Sequence, residues 1–308
     1  MNKNQKTIGA AAVIIASTLW GLDGVVLTPR LYNLDVSFVV FILHLIPFVI
    51  MNFFFYKRYS LLKKFTKDDL ITFILLAFFG GALGTMAIVK ALFLVNFQSL
   101  SIVVLLQKLQ PVFAMSLAAI LLKEKIRKRF LIWAGLAVFA SYFLTFGFHL
   151  PDMETNPSTI YAAGYSLLAA FSFGTSTVLS KKILGKFSFT TSTFFRYGFT
   201  SSIMLIIVLF MGTLNNYELV TEENLLYFFI IGITTGSGAI FLYYYGLVRI
   251  RAIMATICEL FFPVSAILFD YLVNDKILSP VQWIATIIMI FAIVKLTAQK
   301  PVEKGKVS

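Results

Sequence analysis

Apolar residues come in long runs separated by short polar connectors, at approximately 8–28, 37–56, 70–93, 99–122, 130–149, 159–180, 189–211, 224–247, 252–273 and 280–298. Most runs are just long enough to cross about 30 Å of hydrocarbon as helices, which satisfy their backbone polar groups internally. The pattern predicts an all-α integral membrane protein of ten transmembrane helices, with no soluble domain inserted between them. The first run follows Lys3 and Lys6, but it is too long for a signal peptide and no cleavage site follows it, so it reads as the first span.

The runs repeat. Gly80 and Gly84 recur as Gly232 and Gly236, His44 is matched by Arg196 and Pro111 by Pro263, all at an offset of 152 residues. Small slips bring in Trp20-Gly21 against Phe173-Gly174, Glu124-Lys125-Ile126 against Asp275-Lys276-Ile277, and Trp133 against Trp283. The chain therefore divides at 1–150 and 151–308. Five spans per repeat is an odd number, so the second copy is expected upside down relative to the first, an arrangement typical of transporters that hold substrate near the midplane.

Composition agrees with a membrane setting: 59% of residues are hydrophobic and only 13% charged. The net charge of +12 does not point to nucleic acid, because the basic residues cluster in the connectors. One set of ends carries Lys3, Lys6, the 57–67 and 123–129 connectors, Lys181, Lys182, Lys186, Arg249, Arg251 and the lysines of the C-terminal tail, and so holds 20 of the 26 basic residues. The opposite ends carry Arg30 and Lys276 against seven acidic residues. Both termini are therefore expected in the cytoplasm. A lone cysteine, Cys258, excludes an intramolecular disulfide, and Cys258 with His44 and His149 makes no metal-ligand cluster, so no metal or cofactor is expected.

Six ionisable residues fall well inside the runs: Asp23, His44, Lys90, Lys108, Arg196 and Glu259. A charge at the bilayer centre costs at least about 2.5–3.5 kcal/mol, so these residues are expected to face inward. Their depths put Asp23, His44, Lys90 and Lys108 between the middle and the outer side, and Arg196 and Glu259 nearer the cytoplasm. Lys108, in the run Gln107-Lys108-Leu109-Gln110-Pro111, either anchors a substrate anion beside Gln107 and Gln110 or pairs with Asp23. Arg196 and Glu259 are expected to pair with each other as part of a cytoplasmic gate. His44 either relays protons or is hydrogen-bonded between helices. Trp20 and the run Tyr243-Tyr244-Tyr245 either wall a cavity and face a cationic group, or simply pack. Pro111 and Pro263 are expected to kink their helices and free carbonyls nearby, and the paired glycines to let helices approach closely.

These duplicated features resemble the EamA-type transporters of the drug/metabolite transporter superfamily over about residues 8–298. The likeness rests on Trp20-Gly21, Pro111, Pro263, Glu124-Lys125-Ile126 and Asp275-Lys276-Ile277. It implies four helices of each repeat around a central cavity, with 130–149 and 280–298 outside. An arginine is frequent in the second helix of each family repeat; here only Arg196 fits, with His44 at its partner position, and Lys90 and Lys108 are unusual. The resemblance implies a secondary transporter of an amino acid or related metabolite in a bacterial inner membrane, and cationic and acidic side chains in one cavity suit a zwitterion. A monomer or homodimer is expected, with proton coupling through Asp23 or Glu259, the only carboxylates well inside the spans. An anionic or nucleotide-like solute such as S-adenosylmethionine is the alternative substrate class. A membrane-embedded enzyme lacks a histidine–carboxylate cluster, an ATPase lacks a phosphate-binding glycine loop, and a non-transporting lipid scaffold has no use for charges inside both repeats.

Overall fold

The computed structural model describes residues 3–95, 103, 106, 107, 109–124, 126, 128–148, 157–274 and 279–297. Among the described residues there is no β-strand. The helices are α1 Asn4–Leu31, α2 Val36–Lys64, α3 Lys67–Leu94, α4 Gln110–Leu121, α5 Lys128–Phe146, α6 Pro157–Leu184, α7 Phe189–Met211, α8 Glu222–Arg249, α9 Ala252–Val273 and α10 Pro280–Thr297. Seven of them, α1–α3 and α6–α9, are long and apolar enough to cross a membrane. The expected 99–122 span is described only in part.

Local sequence sets the helix ends. The Asp35 side chain accepts from Ser37 N at 2.8 Å to start α2, and Ser188 accepts from Thr191 N at 3.3 Å to start α7. Capping boxes, Thr66 with Asp69 and Thr221 with Asn224, start α3 and α8. Gly212, at φ +67°, takes the left-handed conformation that ends α7 and that a side chain would resist. Wider π-type turns interrupt α1 at Asp23–Leu27, α3 at Phe78–Leu83 and α8 at Gly232–Gly238. The last two overlap at the 152-residue offset; the turn in α3 contains Gly80 and ends just before Gly84, and the turn in α8 contains their counterparts Gly232 and Gly236.

The most extensive pairings are α5 with α10, α1 with α8, α3 with α6, α2 with α7, α1 with α9 and α4 with α6. Renaming each helix as its counterpart five places along the chain leaves this set unchanged, so the halves are related by a pseudo-two-fold operation. Helices α5 and α10 meet chiefly each other, with Trp133 edge-on to Phe291.

The matched Trp20-Gly21 and Phe173-Gly174 steps sit at equivalent crossings. A Cβ on Gly21 would collide with the Ser265 side chain and come 2.8 Å from Ala266 N, where α1 crosses α9. One on Gly174 would lie 3.0 Å from Ala114 N, where α6 crosses α4. Both crossings touch the helix that follows a proline break. Leu109, before Pro111, and Glu259-Leu260, before Pro263, leave the helical path, and the interruption turns the Gln110 and Glu259 side chains toward each other.

Polar groups complete the lysine-rich end. Glu124 accepts from the backbone N–H of Ala252 at 3.0 Å and of Ile253 at 3.4 Å, with Arg251 Nε at 3.4 Å, and so caps the start of α9. Lys181 donates to the Leu247 and Val248 carbonyls at the end of α8, at 2.6 and 3.1 Å.

Candidate functional site

Where α4, α6, α8 and α9 converge, Glu259 accepts from Gln110 Nε2 at 2.5 Å on one carboxylate oxygen and from Tyr243 OH at 2.7 Å on the other. Thr177 on α6 lies 2.9 Å from Tyr243 OH and 3.5 Å from Glu259 Oε1. Trp20 on α1 stands with its ring 5.4 Å from that of Tyr243. Tyr243 is 3% exposed, whereas Trp20, Gln110 and Glu259 are half-buried as whole residues. Each half contributes: Trp20 and Gln110 from the first, Thr177, Tyr243 and Glu259 from the second.

One residue along, Tyr244 takes a different set of partners. Its hydroxyl receives Arg196 Nη1 at 3.0 Å and lies 2.7 Å from Ser180 Oγ, while Arg196 Nη2 donates to the Gly80 carbonyl at 3.0 Å. The guanidinium also lies over the Tyr244 ring, 5.6 Å from its centre. Arg196 is 6% exposed and pins α7 to the π-type turn of α3. The expected Arg196–Glu259 pair is therefore corrected: adjacent tyrosines give the two charges separate partners. A tyrosine pair at consecutive helical positions points about 100° apart, which is why two residues of similar depth end on different networks.

The remaining sequence-derived candidates divide. Asp23, in the π-type turn of α1, is half-buried and accepts from Thr28 Oγ1 at 3.1 Å. His44 is 8% exposed; its Nδ1 donates to Val40 O at 2.8 Å within its own helix, and its ring lies 5.3 Å from Tyr197. It therefore does not make the hydrogen bond between helices that was one of its two expected roles. Lys90 is exposed, against the expectation that it faces inward, because depth along a span says nothing of rotation about its axis. Gln107 is half-buried, and Lys108 lies outside the described residues. Pro111 and Pro263 each follow a break in the helical path, as expected. Thr177, Ser180 and the Gly80 carbonyl were missed; small hydroxyls in an apolar helix give no sequence signal of their own.

Two closures flank the site. At the lysine-rich end Lys182 meets Asp68 at 2.7 Å and Lys186 meets Asp69 at 2.6 Å, above a cluster of Phe65, Phe73, Phe187 and Phe195. At the far end the Asn33 and Asn224 amides exchange two hydrogen bonds of 3.1 Å, Asn224 also donates to the Arg30 carbonyl at 3.1 Å, and Ser37 meets Thr213 at 2.6 Å. Leu27, Leu31, Leu34, Phe38, Phe228 and Ile231 fill the space there. Both closures join one half of the chain to the other.

A model of the EamA-like transporter family matches residues 7–146 and again 160–298. Over 290 residues the chain is 52% identical to the riboflavin transporter ImpX of Fusobacterium nucleatum subsp. nucleatum, spanning 94% of this chain and 97% of that protein. A solved crystal structure superposes with a TM-score of 0.64 over 98% of this chain and 99% of its own at 16% identity, a likeness of fold alone.

Proposed function

The chain belongs to the EamA-like transporter family, and on that premise we propose that it carries riboflavin, or a closely related flavin, across the cell membrane. It is a multi-pass membrane transporter of a small metabolite and not an enzyme. The observation that carries the riboflavin reading is the 52% identity to a riboflavin transporter along nearly the whole of both chains. Nothing in the comparisons points to an amino acid, and riboflavin replaces that expectation.

The site suits such a cargo. Riboflavin is planar, uncharged and rich in hydrogen-bonding edges, and the half-buried Trp20, Gln110 and Glu259 offer one aromatic face with polar groups beside it. Ten spans in two inverted repeats, 1–150 and 151–308, with both termini in the cytoplasm, fit the two matched stretches, the pseudo-two-fold pairing and the basic connectors. The lysine-rich closure is then the cytoplasmic one. Alternating access would open one closure while the other holds, and proton coupling would use Glu259 or Asp23.

The test is uptake of labelled riboflavin into proteoliposomes containing the purified protein. Saturable uptake, competed by unlabelled riboflavin and not by amino acids, is the expected outcome. Uptake no faster than in protein-free vesicles, in both membrane orientations, would overturn the proposal.

A further inference from the structure

We infer that Gln110, Glu259 and the Tyr243–Thr177 hydroxyl pair read the imide edge of the flavin ring, and so set which ring systems the carrier accepts; this rests on the riboflavin reading. The three groups stand in a row: Gln110 Nε2 donates to one oxygen of Glu259 at 2.5 Å, and Tyr243 OH donates to the other at 2.7 Å, with Thr177 2.9 Å behind it. The row is donor, acceptor, donor.

The pyrimidine-dione edge of a flavin presents the reverse order, with two carbonyl oxygens flanking one imide N–H. Glu259 retains unused lone pairs for that N–H. Gln110 keeps a second amide hydrogen for one carbonyl, and with the Tyr243 hydrogen donated to Glu259 the Thr177 hydroxyl holds its own for the other. The Gln110 and Tyr243 contacts satisfy the carboxylate, as a polar group in an apolar surrounding requires. Trp20, against Tyr243, is placed to cover the ring face next to that edge.

The row also spans both halves of the molecule. Gln110 follows the break before Pro111, and Glu259 lies in the break before Pro263, so each proline interruption supplies one member. A ligand that adds one bond to Gln110 and one to Glu259 bridges the two halves of the chain. Other imide-bearing rings of similar width are expected to compete, and rings with a methylated or absent imide are not.

The experiment compares riboflavin with 3-methylriboflavin, which blocks the imide nitrogen and leaves the ring otherwise unchanged. Binding is followed by quenching of flavin fluorescence in detergent-solubilised protein, a readout that needs no transport or coupling. The wild-type protein is expected to bind the methylated ligand about 10- to 100-fold more weakly, because a buried acceptor loses its donor. In Glu259→Ala, which removes the acceptor of the imide N–H, that ratio is expected to fall below about threefold, with Glu259→Leu as the second variant if the first does not fold; Gln110→Leu, which removes only a donor to a carbonyl, is expected to weaken both flavins alike and keep the ratio. Equal affinity of the wild-type protein for the two flavins would overturn the imide inference and leave riboflavin transport standing. No binding of riboflavin by the folded wild-type protein would overturn both.

Discussion

At the lysine-rich end the start of α3 meets the last turn of α6 through Asp68 with Lys182 and the turn after it through Asp69 with Lys186, whereas at the far end the start of α8 meets the turn after α1 through the neutral amides of Asn33 and Asn224. The positions correspond. Arg30 stands 152 residues before Lys182 and Asn33 stands 153 before Lys186, while Glu223 and Asn224 stand 155 after Asp68 and Asp69. Even the ion pair has a counterpart, stretched to 3.8 Å and solvent-exposed between Arg30 and Glu223. Duplication has kept where the helices begin, through the two capping boxes, and has left the chemistry of each closure free to diverge.

The difference has consequences for how each end responds to conditions. Hydrogen bonding to Asp69 holds the Lys186 ammonium above the usual lysine value of about 10.4. A raised lysine pKa gives a contribution that is complete below the unfolded value and lost as pH rises through the folded one, so this closure is intact throughout the neutral range. The Asn33–Asn224 amide pair carries no charge and has no such dependence, and the Arg30–Glu223 pair beside it is long and solvent-exposed. Charged pairs weaken as salt screens them, and neutral amide pairs do not.

The largest expected effect tests whether Asp69 carries more than Asn33. Asp69 is 5% exposed in its side chain, and it both caps α3 and holds Lys186. Asp69→Ala should cost about 2 kcal/mol, roughly 1 from the cap and up to about 1 from the pair, read as lost stability in detergent. Asn33→Ala should cost about 1 kcal/mol or less. Equal losses would erase the contrast between the ends.

A smaller effect comes from copying one closure onto the other. Asn33→Lys with Asn224→Asp places the lysine-rich chemistry at the far end and keeps a capping side chain at the start of α8. Gaining up to about 1 kcal/mol of closure should slow thiol labelling of a Leu27→Cys reporter about fivefold, since Leu27 lies in the cluster beneath that end. Unchanged labelling would mean that the amides already close it as firmly as charges can.

Salt should produce the smallest effect. Raising ionic strength to about 1 M shortens the screening length to about 3 Å. Labelling of Leu184→Cys, beside the ionic closure, should then rise about twofold while that of Leu27→Cys stays constant. A parallel rise at both ends would assign the response to the bilayer or detergent and not to the ion pairs.

Much of this architecture was legible in the chain because membrane helices announce themselves by length and duplication by offset. The proline breaks and the Gly21 and Gly174 crossings all fell where the repeat placed them. Rotation about a helix axis was not legible. Depth suggested pairing Arg196 with Glu259, and the cost of a charge facing lipid suggested turning Lys90 inward, but the azimuths of Tyr243 and Tyr244 separate the first two and the face of α3 exposes the third. Lys182 lies in the last turn of α6 and Lys186 and Asn33 in connectors, where charge was read for orientation and side-chain partners from the other repeat could not be seen.

The exchange of partners between halves also bears on biosynthesis. Each of the most extensive helix pairings joins an element of the first half to one of the second. Helices emerge in sequence order at about 5–20 residues per second, so α2 waits about 150 residues, or roughly 8–30 s, for α7. Over that interval the first half holds Asp23, His44 and the glycine faces of α1 and α3 in the bilayer without the surfaces that will cover them. The nascent half is thus an obligatory assembly intermediate, and the time between ribosomal delivery of α1 and α8 is a window in which insertion factors or lipids must stand in for the missing half.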